Sequence, residues 1–194
     1  MKPLRLVIAD DEAVIRMDLK EILQEAGHEV VGETANGRRA VAIVRDTRPD
    51  LVILDVKMPD MDGIEAARMI DADHLAPVLL LTAFDDAELI RRATDAGVLA
   101  YLVKPVEEKN LFPAMEIALS RWQEMQSLAE ELEAMRDSLE MRKLLDRAKG
   151  ILMQAHGISE DEAYRRLQRY SMEKRRPLKD VAAAVVQAGA KKRR

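Results

Sequence analysis

Five polar residues stand where short apolar runs end: Asp10 and Asp11 after LRLVIA, Asp55 after LVIL, Thr82 closing PVLLLT and Lys104 after LAYLV. If these runs are neighbouring parallel strands, their carboxyl ends bring the three carboxylates close together, and like charges that near are costly unless a cation neutralises them. A hard divalent ion answers that need. Mg2+ takes oxygen ligands and keeps several waters, so two carboxylates and a backbone carbonyl suffice to hold it. It also bridges to a phosphoryl oxygen and spreads the charge of a transfer. Thr82 offers a hydroxyl and Lys104 a cation for the same oxygens, with Pro105 fixing the loop beyond. Strands often end in polar residues, so each residue alone says little. All five in order, spaced by whole βα units, point to phosphoryl chemistry.

The elements that must position them are legible as an alternation. LRLVIA, EVVGE, LVILDV, PVLLLT and LAYLV have the length and the Val, Ile and Leu content of strands, and their continuous apolar runs imply burial on both faces. Between them EAVIRMDLKEILQEAG, NGRRAVAIVRDT, GIEAARMID and DDAELIRRATDAG repeat apolar residues at helical spacing, with Gly27 and Gly97 as stops. Five βα units imply a doubly wound parallel sheet, whose ligands bind beyond the carboxyl ends of the strands.

On those residues the segment from 3 to about 120 resembles the receiver domain of two-component response regulators. The resemblance is carried by ADDE at 9–12, LDVKMPDMDG at 54–63, TA at 82–83 and LVKP at 102–105. It implies a flavodoxin-like fold, Asp55 as phosphoacceptor, and Mg2+ held by Asp10, Asp11, Asp55 and the backbone carbonyl of Lys57. Thr82 and Lys104 become phosphate sensors, Ala83 the small residue that gives the phosphoryl group access, and Tyr101 the aromatic switch that turns inward when the threonine moves. A sensor histidine kinase is the implied donor, and Lys57 and Phe84 hold positions that tune hydrolysis. Such a chain is not an enzyme in its own right; it assists its own phosphorylation and dephosphorylation.

From about Glu107 the pattern changes to one long helix, with no proline after Pro113 and no glycine before Gly150. Met125, Leu128, Leu132, Met135 and Leu139 step by threes and fours, an a/d seam that predicts a coiled-coil homodimer, or alternatively a helix lying against its own receiver. Phe112 and Trp122 are expected to anchor that helix to the receiver. Breaks at His156-Gly157 and Arg176-Pro177 mark further helices. Ser159 and Glu162 form a capping box opening a helix to Met172, and Pro177 starts another that ends before Gly189. With the end of the long helix these make a small three-helix all-α unit, whose core draws on Ile151, Leu152, Ile158, Ala163, Leu167, Val181 and Val185. The expected division is 1–120 receiver, 121–141 linking helix or coiled coil, 142–190 output domain and 191–194 basic tail.

The net charge of -4 conceals a segregation: residues 1–141 hold 16 Lys+Arg against 29 Asp+Glu, while 142–194 hold 15 against 6. A basic end on an acidic body suits a polyanion, although a solvated basic face reads the same way. The run from Arg142 to Val186 resembles the ANTAR domain, an RNA-binding transcription antitermination output, through AKGILM at 148–153, EAYRRLQRYSM at 162–172 and LKDVAAAVV at 178–186. Ser171 departs from the alanine commoner there. Ala148, Gly150 and Ala163 match small residues that let the helices approach closely.

Arg142, Lys149, Arg165, Arg166 and Arg169, with Lys174, Arg175 and Arg176, offer a positive surface for RNA hairpins. Tyr164 and Tyr170 offer rings on which loop bases stack. Lys149, Tyr164 and Arg166 are the leading candidates, whereas Tyr170 is expected in the core and the KKRR tail adds unspecific attraction. Two other outputs remain open: a DNA-binding regulator, and one acting through protein contacts of the long helix. No cysteine is present, which excludes disulfides and thiolate sites and fits a reducing cytoplasm. No apolar run approaches the ~20 residues of a membrane span. His28, His74 and His156 are isolated and are expected at the surface or in loops.

Overall fold

The computed structural model describes residues 2–83 and 87–191. Phe84 and residues 192–194 of the basic tail lie outside the described residues. The chain divides into two compact units, Met1–Gln126 and Ser127–Arg194. No helix among the described residues is long and apolar enough to cross a membrane.

In the first unit β1 (Arg5–Ala9), β2 (Glu29–Thr34), β3 (Leu51–Asp55), β4 (Val78–Thr82) and β5 (Ala100–Val103) form a parallel sheet of order β2-β1-β3-β4-β5. The helices are α1 (Ala13–Glu25), α2 (Gly37–Thr47), α3 (Gly63–Ala72), α4 (Ala87–Asp95) and the start of α5 (Glu108–His156). The continuous apolar runs behave as expected where strands are central. Every residue of β3 and β4 is buried, whereas the edge strand β5 alternates, leaving Tyr101 and Val103 exposed.

Side chains divide between the two faces of the sheet as the two-residue period requires. Val7, Val52, Leu54 and Leu80 meet α2 and α3 through Val41, Val44, Ile64 and Ile70, while Leu6, Ile8, Ile53 and Leu79 meet α1 and α5 through Leu19, Leu23, Leu111 and Met115. Phe112 and Trp122 pack against the second cluster, as anticipated. His28 lies in a loop, between α1 and β2, but not at the surface. It is buried between β2 and α5, its Nδ1 accepting the Leu4 N–H at 3.2 Å and its ring 6.1 Å from that of Phe112.

In the second unit the carboxyl end of α5 packs with α6 (Glu160–Lys174) and α7 (Leu178–Lys191) around Ala148, Leu167, Val181 and Ala182. The Ser159 hydroxyl accepts the Glu162 N–H, so the expected cap is present. Four expectations need correction or refinement. Gly189 does not end the last helix, which runs on to Lys191; a single glycine near a terminus costs only about 1 kcal/mol, too little to stop it. Tyr170 is not a core residue but is 51% exposed. Ile151 is only half-buried and contributes to no core cluster. Ala148 and Ala163 are fully buried, but Gly150 faces open space, where a Cβ would meet nothing within 4 Å.

Candidate phosphoacceptor pocket and output surface

Register explains why the five strand-end residues meet. Ala9 pairs with Leu54 and Thr82 with Val103, so Asp10 follows beside Asp55, and Lys104 lies one residue beyond Thr82. Backbone bonds continue the ladder past the strands: the Lys104 N–H donates to the Thr82 carbonyl and the Val56 N–H to that of Leu81. The three carboxylates offer ligand oxygens within 4.8 Å of one another, with Asp10 and Asp55 buried and Asp11 exposed. Lys104 Nζ lies 2.7 Å from Asp10 Oδ2 and 2.8 Å from Asp55 Oδ1, and Glu12 stands further off at 3.7 Å. Thr82 is buried, whereas Ala83 is exposed, and both line the same recess of about 210 Å³ with Lys57.

Burial pushes the Asp55 carboxyl above its ordinary value and Asp10 adds to the rise, although Lys104 and the Lys57 N–H pull against both. For the Lys104 ammonium, burial acts downward but the two carboxylates outweigh it, and its affinity for the proton is raised. One buried lysine thus faces more negative charge than it neutralises. Lys104 Nζ alone reaches the buried Asp10 Oδ2 among the described residues, and the same ammonium is shared with Asp55. Three clustered carboxylates that share one ammonium, in an all-oxygen set, are what a hard divalent cation satisfies. The residues present fit Mg2+.

The output candidates do not form one surface. Arg142, Lys149 and Tyr164 line a groove of about 710 Å³ that also holds Asp146 and Glu160. Lys149 Nζ is 2.7 Å from Asp146 and 2.6 Å from Glu160, with only 16% of its side chain exposed; both acids raise its pKa, and it joins α5 to the first turn of α6. Arg166 and Tyr170 line a second groove. At about 100° per residue, Arg165 and Arg169 project opposite the buried Ala163 and Leu167, away from both grooves.

Comparison with known proteins identifies the chain. The family model of the response regulator receiver domain matches residues 6–116, and that of the ANTAR domain matches 133–186. The transcriptional regulatory protein PdtaR of Mycobacterium tuberculosis is 48% identical over 185 residues, covering 95% of this chain and 90% of that protein. This chain is a response regulator with an ANTAR-type RNA-binding output.

Its receiver is 38% identical over 112 residues to the chemotaxis protein CheY of Thermotoga maritima, covering 57% of this chain and 93% of that one. Among solved structures, the receiver domain of the response regulator NarL from Mycobacterium tuberculosis aligns with TM-score 0.57 and 29% identity, over 59% of this chain and 94% of that one. The CheY of a CheX-CheY-BeF3-Mg2+ complex from Borrelia burgdorferi aligns with TM-score 0.56 and 26% identity, over 58% and 87%.

Motif reading passed over one residue that steadies the response regulator's pocket. Arg16 donates through one guanidinium nitrogen to the carbonyls of Asp10 (2.7 Å) and Asp11 (3.4 Å), bracing the loop that carries both acids. An arginine one turn into an amphipathic helix gives no sign in the sequence that its partners are backbone oxygens.

Proposed function

We propose that this response regulator accepts a phosphoryl group on Asp55 from a phosphohistidine of a sensor histidine kinase. The modification controls RNA-hairpin binding by the ANTAR domain and, through it, transcription antitermination. The observation that carries the receiver half is Lys104 set between Asp10 and Asp55 at 2.7 and 2.8 Å, at the carboxyl edge of the sheet. In the transfer an Asp55 oxygen forms the new O–P bond as the P–N bond breaks, and the imidazole leaves and takes up a proton. Lys104 is placed to neutralise the phosphoryl oxygens as their charge shifts.

Asp10, Asp11, Asp55 and the Lys57 carbonyl would hold Mg2+, which supplies further neutralisation of those oxygens. That the similar CheY was solved in a complex with BeF3 and Mg2+ supports a Mg2+ site in this receiver. Thr82 follows the phosphoryl group, Ala83 leaves its approach open, and Tyr101, 42% exposed in this state, turns inward. The chain is consumed and restored at Asp55, so it is a self-assisting substrate rather than a turnover enzyme, and it works in the cytoplasm.

On the output side, Leu128, Leu132, Met135 and Leu139 are each at least half exposed along one face of α5, which supports pairing with a second copy on phosphorylation. A dimer holds two hairpins and keeps a terminator from forming. The test has two arms. Labelled acetyl phosphate or a phosphorylated kinase should load the wild type and not Asp55→Asn; equal loading would overturn the acceptor assignment. Tandem RNA hairpins should bind far more tightly than duplex DNA at matched salt, and equal weak binding to both would overturn the RNA reading.

A further inference from the structure

The second output groove has a composition that the first does not. It encloses about 320 Å³ among α5, α6 and α7, walled by Leu152, Leu167, Val181 and Val185, and none of its described lining residues is acidic. Its two polar lining side chains, Arg166 and Tyr170, are exposed, and Tyr170 is 51% so. The Lys174 ammonium lies 5.9 Å from the Tyr170 ring centroid. Among the described residues Arg166 is tied only by a 3.4 Å contact to Glu162 on its own helix, a pair that a phosphate can replace easily.

The groove containing Lys149 and Tyr164 is different, because its lysine is already claimed by Asp146 and Glu160. A polyanion gains less there. An apolar slot flanked by a ring and two unburied cations suits a flat, weakly polar group attached to a phosphodiester chain. Unstacked bases in single-stranded RNA are such groups, and base–aromatic stacking contributes about 1–3 kcal/mol per base.

We infer that the groove bounded by Leu152, Leu167, Val181 and Val185 receives one extruded nucleobase of an RNA loop, stacked on Tyr170, with Arg166 and Lys174 on the flanking phosphates. This rests on the RNA reading above and adds the place where a base is held. Arg165 and Arg169, on the outward side of α6, meet backbone phosphates and carry no base contact.

The test uses the full-length protein and hairpins of fixed stem and randomised loop, from which binders of the wild type are selected. Each loop nucleotide of a selected hairpin is then replaced by an abasic one. Tyr170→Ala should weaken binding about 10- to 100-fold, with the slope of log affinity against log salt unchanged, since phosphate contacts remain. Tyr170→Phe should restore binding. Ala184→Leu, at an exposed position of the groove wall, should weaken binding without lowering thermal stability. One abasic position should weaken the wild type and have no further effect on Tyr170→Ala.

Full-strength binding by a folded Tyr170→Ala, or an abasic effect that adds fully to it, overturns the site while leaving the RNA reading intact. Failure of the wild type to select any hairpin over duplex DNA overturns both. A change in the protein's own mass by light scattering on Tyr170→Ala would show instead that the groove seats a second copy, and would overturn the base site.

Discussion

Lys104 sits between two carboxylates that it does not fully neutralise, and two predictions follow from that imbalance. Its side chain is 13% exposed, so Lys104→Met strands two buried charges and should cost about 3 kcal/mol in chelator, with part regained on adding a divalent cation. Chemical denaturation with and without Mg2+ reads this directly. Asp55 behaves in the opposite way. Burial, helped by Asp10, holds its carboxyl above the ordinary 3.8 against the pull of Lys104. The native state therefore binds more protons between the two values, and stability falls as pH climbs through that interval and stays lower at neutral pH. Asp55→Asn should melt a few degrees higher than the wild type at neutral pH in chelator, and the gap should close as pH falls toward 4.

Sequence revealed these acids because they stand at the ends of apolar runs. It misjudged Tyr170, whose three-residue step from Leu167 reads as core although a three-helix unit is too small to cover both flanks of α6. It could not show that Lys149 is claimed by Glu160, a partner across a chain reversal.

Among the elements, α3 is set hard against the end of β3 that carries Asp55. A Cβ at Gly63 would overlap the Asp55 carbonyl, so no other residue lets the helix begin there without displacing the strand end. Gly63→Ala should lower both stability and phosphoryl loading, measured by melting and by label uptake from acetyl phosphate, while leaving the RNA affinity of the unphosphorylated protein unchanged. The seam between β2 and α5 holds the buried His28, whose pKa burial lowers from the usual 6.5. Here the unfolded chain binds more protons between the lowered value and 6.5, so receiver stability is lost as pH falls below 6.5. His28→Gln should flatten that slope in melts taken from pH 7 to 5.

Strand and helix positions were legible to within two or three residues, since parallel strands declare themselves by unbroken apolar runs. The fate of His28 was not legible, because its burial depends on Phe112, far along the chain, closing over it.

At the scale of the whole molecule, an acidic first part and a basic last part coexist within a net charge of -4. Both domains were readable from motif order and charge. Whether Leu128, Leu132, Met135 and Leu139 meet the protein's own surface or another chain was not, because a heptad pattern specifies an apolar face and not its occupant. These side chains are 50 to 66% exposed. If a second copy covers them, mass action enters the chain's stability: the melting temperature of the Ser127–Arg194 unit should climb with protein concentration, while that of Met1–Gln126 stays fixed. Calorimetry across a hundredfold dilution would separate the two transitions, and a concentration-independent melting of the Ser127–Arg194 unit would mean the stripe stays bare. Covered in that way, the same face would make the output's stability depend on how much of the protein a cell contains.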